Sequence, residues 1–156
     1  MITKLNFGVH AGKTLVELVV ADSSYFWLAL RAGVFRDHGG SQLEREARLA
    51  WQKARHIRLP QHYPDGSSVA HQLRDGQYEG AMTVTFAEYD GGAELKGYLD
   101  LGCGVSIEDI GNKQRSRDFM RIVFGIETGV TISQLEEFFA NPDNFDLPGD
   151  TRQAAE

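Results

Sequence analysis

Five cations surround one tryptophan between residues 41 and 58: Arg45, Arg48, Lys53, Arg55 and Arg58 around Trp51. At about 100° per residue, Leu43, Ala47, Ala50, Ala54 and Ile57 form one apolar stripe of a helix, with Trp51 at its edge. Arg48 lies three residues before the tryptophan and Arg55 four after it, so both share its exposed side. Arg45 continues the row and Arg58 falls beside it. An indole flanked by guanidinium groups suits single-stranded nucleic acid: the ring stacks on a base, and the arginines pair phosphates or stack themselves. The same pattern also reads as a core tryptophan beside a solvated helix face.

A second basic segment runs from Asn112 to Gly125. Phe119, Ile122 and Val123 make its buried stripe, and Lys113, Arg117 and Arg121 recur at i, i+4 and i+8 on the opposite face. Arg115 stands in the first turn. Cations at a helix start oppose the helix dipole, so something other than helix stability keeps Lys113 and Arg115 there. The two segments hold nine of the sixteen basic residues. Lys96, on a strand between them, extends the set.

Other chemistries fail on spacing. Gly8-Val-His-Ala-Gly12-Lys13-Thr14 is one residue short of the phosphate loop it imitates, so too few backbone N–H groups could wrap a phosphate. The five histidines are scattered without metal-ligand spacing, and Cys103 stands between Gly102 and Gly104 with no signature tying it to a histidine. Asp100, Glu108 and Asp109 could form a carboxylate cluster of the kind metal nucleases use, but acids at this density are ordinary on surfaces. No cofactor is expected.

The net charge of −6 looks wrong for a nucleic-acid binder until it is located. Residues 133–156 hold six acids and one arginine, a net of −5, which leaves the other 132 residues at −1. A near-neutral body can present a basic face if its charges segregate. The acidic end reads as a flexible handle for a partner such as RNA polymerase or a replication protein, with Asp143 and Asp146 as charges and Phe145 and Leu147 as apolar anchors. A plain solubilising end is the other reading.

Phe7-Gly8-Val-His-Ala-Gly12-Lys13-Thr14-Leu15, followed by Tyr25-Phe-Trp27-Leu28, resembles a short module at the C-terminus of DnaQ-type exonucleases. That module has the pattern F-G-x-x-x-G-K-x-L, then Y-x-x-W-L. The second part here is one residue tighter. The resemblance covers residues 7–28 and implies nucleic-acid metabolism, with Tyr25 and Trp27 packing a hairpin on a helix. No exonuclease carboxylate motif is present, so it implies no activity. The whole layout is also similar to phage-encoded single-stranded-DNA-binding proteins that act as RNA-polymerase cofactors: the size, the Trp51 arginine helix and the acidic Asn141–Asp150 end carry that likeness.

The elements that must position these residues follow from caps and breakers. Residues 3–16 read as a hairpin around Gly8 and Gly12. Asp22 or Ser23 caps a helix that Gly33 stops, and residues 36–41 read as a loop. Ser41 caps the arginine helix, which runs to about Ile57 before Pro60. Met82, Val84 and Phe86 alternate on a strand, Asp90-Gly91-Gly92 turns it, and Ala93 to Leu101 returns. Asn112 opens the second basic helix, and Ser133 caps a short last one. A chain of 156 residues with 42% apolar composition has material for one core. The expected class is α+β: over residues 1–140, a small antiparallel sheet around residues 78–101 is packed by about four helices, followed by a flexible acidic tail at 141–156.

The N-terminus lacks a signal sequence, no apolar run reaches the roughly 20 residues of a membrane span, and a lone cysteine fits a reducing cytoplasm. The leading expectation is non-catalytic, largely sequence-independent binding of single-stranded DNA or RNA in phage or bacterial replication or transcription. The alternatives are a protein-binding modulator of a host or phage enzyme and a metal-dependent nuclease. Oligomeric state, homo-oligomers included, stays open.

Overall fold

In the computed structural model, residues 3–74, 77–85, 94–105 and 112–147 are described. They form five α-helices and one three-stranded antiparallel sheet, an α+β architecture. The Asp90-Gly91-Gly92 turn, Phe86, Glu108, Asp109 and the end of the chain from residue 148 lie outside the described residues.

The first segment is a loop rather than a hairpin. A single antiparallel bridge joins Lys4 to Thr14, and Gly8 and Gly12 take positive φ at its bends. Thr14 then caps α1 (Leu15–Ala21), because Thr14 and Glu17 form a reciprocal capping box. Asp22 caps α2 (Ser23–Arg31) through the backbone N–H of Tyr25. Gly33, at φ 75°, reverses the chain into α3 (Val34–Ala54) instead of merely stopping α2. The expected loop at 36–41 is helical. A break survives within it, at Gly40, whose φ of 72° kinks α3 just before Ser41.

α3 ends at Ala54, not Ile57. Ile57 instead bridges to Leu99 on one side and Phe145 on the other, tying the end of the helix to two distant segments. In the sheet, β1 (Ser68–Arg74) is central, between β2 (Gln77–Thr85) and β3 (Glu94–Lys96). Val69 faces Val84 on β2 and Lys96 on β3. The return strand thus pairs with β1 and not, as the turn signal implied, with β2. The long β segment expected after the turn at residues 62–68 is two strands, β1 and β2, with the alternation of Met82 and Val84 on the second.

α4 (Asn112–Phe124) packs on β2 and α1. Its Asp118 carboxylate accepts the Met82 N–H at 3.0 Å, and Arg121 donates to the Met82 carbonyl at 2.8 Å. Side chains thereby occupy backbone groups that an adjacent strand would otherwise take. α5 (Ile132–Ala140) starts from Thr131, not Ser133, again through a capping box, with Gln134. A 3₁₀ turn (Pro142–Asn144) follows, and Phe145 is fully buried.

One continuous core runs through Leu18, Phe26, Phe35, Ala47, Ile57, Val69, Met82, Leu99, Phe119 and Phe145. No described helix is long and apolar enough to cross a membrane.

Candidate nucleic-acid interface

α3 and its C-cap position Arg45, Arg48 and Arg55 of the expected cations. Leu43, Ala47, Ala50 and Ala54 are its buried face. At about 100° per residue, Arg45, Arg48, Gln52 and Arg55 fall together on one flank of that face, and all four are exposed. Along this flank the charges follow one rule twice: a carboxylate with little exposure holds two more exposed cations. Glu44, 11% exposed, accepts from Arg36 at 2.8 Å and lies 3.7 Å from Arg48. Asp100, 1% exposed, accepts from Lys96 at 2.6 Å and meets Arg55 at 3.3 Å. Each group has a net charge of +1, with its guanidinium turned outward.

The Asp100 group is built by several elements. Leu99 is bridged to Ile57, and the Leu101 N–H donates to the Ala54 carbonyl at 2.9 Å, which seats Asp100 beside the end of α3. The Asp100 carboxylate also accepts the Gly102 N–H at 2.8 Å, and its own N–H donates to His71 Nε2 at 3.1 Å. His71 is fully buried, and this bond requires its proton on Nδ1. Arg55 lies across Gly102: a Cβ there would come within 2.9 Å of the Arg55 side chain. Burial alone would raise the Asp100 pKa, but the hydrogen bonds from Lys96 and Arg55 outweigh it and hold the carboxyl below its usual range. Burial likewise opposes the charge on Arg55, and Asp100 reverses that, raising its pKa.

Beside this pair sits Tyr98, a half-buried ring that the residue pattern did not single out. Lys96 Nζ lies 5.8 Å from its centroid and the His56 ring 5.0 Å away. Tyr98 is therefore an aromatic ring beside a cation at the end of α3. Trp51 is half-buried, and one face of its ring stacks on Phe26 at 6.0 Å and 14°. Arg58 reaches Asp146 at 3.7 Å, both side chains exposed. Arg45 is exposed and bonds Gln42.

α4 contributes less than its composition promises. Lys113 and Arg117 are exposed, but Arg115 is 1% exposed. Its guanidinium donates to the Cys103 carbonyl and the Ser23 hydroxyl, both at 3.0 Å, and ties α4 to α2. The helical spacing carried this signal: Arg115 lies four residues before Phe119 and seven before Ile122, on the same buried stripe. Arg121 is 40% exposed and engaged with Met82 and Asp118.

The C-terminal segment departs from a free handle. Phe145 is core, Leu147 packs against it, and the Asp146 N–H donates to the His56 carbonyl at 2.9 Å. Asp143 and Asp146 remain exposed. The chain from 141 to 147 thus belongs to the packed domain, not to a tail.

In the N-terminal loop, His10 bridges Asp22 at 3.2 Å and Lys13 at 3.0 Å. Phe7 stacks on His38 at 4.2 Å. Tyr25 packs on His10 with ring centroids 4.8 Å apart, and Arg31 covers the Trp27 ring at 4.8 Å.

No family model, curated protein or solved structure matches the chain.

Proposed function

We propose that the chain binds single-stranded nucleic acid, DNA or RNA, along the exposed flank of α3 and around the Tyr98 corner, without catalysis. The carrying observation is the repeated arrangement of two cations per carboxylate, Arg36 and Arg48 on Glu44 and Arg55 and Lys96 on Asp100. The carboxylates orient the guanidinium groups and reduce the rotamer freedom lost on binding, while the surplus positive charge faces outward. Arg48 and Arg55 are two turns apart on one face, about 10 Å along the helix. Phosphates would pair with Arg45, Arg48, Arg55 and Arg58, and a base would stack on Tyr98 beside Lys96. Lys113 and Arg117 add positive charge on α4, whereas Arg115 and Arg121 serve the fold.

Such contacts read phosphate and base faces rather than base edges, so the proposed binding is largely independent of sequence. Titration of a fluorescein-labelled oligonucleotide at two salt concentrations tests the proposal. Binding that weakens steeply with salt supports it, and absence of binding at low salt rejects it.

A further inference from the structure

A cavity of about 340 Å³ opens where α1, α3 and α5 meet. Sites for small organic molecules begin at about 300 Å³. Val16, Leu49 and Phe139 supply apolar wall, and Leu49 is 45% exposed although it is large and aliphatic. Two carboxylates stand in the same wall, Glu46 on α3 and Glu136 on α5. Their hydrogen-bond partners are neutral: Glu136 accepts from the Thr14 hydroxyl at 2.6 Å and Glu46 from the Gln42 amide at 3.1 Å. The lysine in the lining, Lys53, turns its ammonium to the Phe139 carbonyl at 2.8 Å and pairs with neither acid.

An apolar cavity carrying two carboxylates on neutral partners is complementary to a cation with an apolar body. We propose that this cavity binds a small organic monoamine, a primary ammonium on a short apolar arm. The ammonium presents three donors, enough to address Glu46 and Glu136 together. The arm lies against Val16, Leu49 and Phe139. Lys53 sets the limit of one charge, because a second ammonium on the ligand would meet it. Glu46, Leu49 and Lys53 lie about 120° around α3 from the middle of the arginine flank, so this site is separate from the proposed nucleic-acid surface.

The test uses the full chain with three isosteric probes: benzylammonium, benzyl alcohol and benzoate. Methyl resonances of Val16 and Leu49 are followed by NMR during titration. Saturable shifts are expected with benzylammonium, at least about tenfold weaker binding with benzyl alcohol, and none with benzoate, as one charge-assisted contact requires. Glu136→Gln keeps an acceptor for Thr14 and is expected to weaken benzylammonium about tenfold while leaving benzyl alcohol unchanged. Glu46→Gln, on a different helix, carries the same expectation if the first variant melts early. Equal affinity for benzylammonium and benzyl alcohol, no saturable shift with benzylammonium, or unchanged affinity in both variants with a native melt overturns the proposal.

Discussion

Arg55 and Asp100 meet across 45 residues of chain, Nε to Oδ1 at 3.3 Å and Nη2 to Oδ2 at 3.4 Å. The carboxylate is 1% exposed and the arginine 45%. One partner belongs to the interior and the other to the surface, so the pair transmits the order of the core to an outward-facing cation. Lys96 closes on the same carboxylate from the end of β3.

Replacing Asp100 with Asn therefore acts on both fold and surface. It leaves Arg55 and Lys96 without their counter-charge and weakens the seat of the 99–102 turn. A loss of about 3 kcal/mol is expected, the lower end for breaking a buried pair, since Arg55 retains water. Urea unfolding measures it: the midpoint falls and the slope stays constant. An unchanged midpoint would show that Asp100 anchors nothing.

The same carboxylate gives a pH signature. Its folded pKa is depressed, so its stabilisation is complete above the unfolded value near about 4 and is lost as pH falls through the depressed folded value. The stability gap between wild type and Asp100→Asn should be constant at neutral pH and shrink in acid. Denaturant midpoints across an acid series read it, and a gap that widens on acidification contradicts the assignment.

At the sheet edge, Asp118→Ala removes the acceptor of the Met82 N–H and a partner of Arg121. The expected cost is about 2 kcal/mol, that of a buried donor left without its charged acceptor. Amide exchange at Met82 should quicken by more than the global loss of stability explains. Exchange that tracks global stability alone would mean that the Met82 N–H does not depend on Asp118.

Phe145→Ala separates a packed segment from a free tail. Phe145 touches Phe138 and Phe139, with centroids 5.5 and 5.3 Å away, and is fully buried. A loss of about 3–5 kcal/mol is expected on thermal or denaturant unfolding, as for other buried phenylalanines. A variant as stable as wild type would return the segment to the status of an appendage.

Local signals made much of the helical frame legible. Asp22 caps α2, and the apolar spacing of Leu43, Ala47, Ala50 and Ala54 describes the buried face of α3. α1 was hidden because Leu15–Ala21 is rich in β-branched residues, although the Thr14–Glu17 capping box was there to be read. The burial of Arg115 was also readable from its stripe. The placement of Asp100 between Arg55 and Lys96 was not, since it depends on Ile57 bridging Leu99 and on β3 joining β1 instead of β2. Such long-range pairing leaves no mark in local periodicity. For the same reason the position of Tyr98 beside Lys96 was not readable.

The most direct measurement compares wild type, Arg48→Gln and Tyr98→Ala in titrations of a labelled single-stranded oligonucleotide over a salt series. Arg48 is itself 61% exposed and Glu44 keeps Arg36 as its counter-charge, while Tyr98 is only half-buried, so the fold should survive both. The predicted result is salt-sensitive binding by wild type, with a log–log slope about one unit shallower in Arg48→Gln for its lost phosphate contact. Tyr98→Ala should bind about tenfold more weakly with its slope unchanged, the effect of losing one stacked base. No binding by wild type at low salt, or binding that both substitutions leave untouched, would contradict the account.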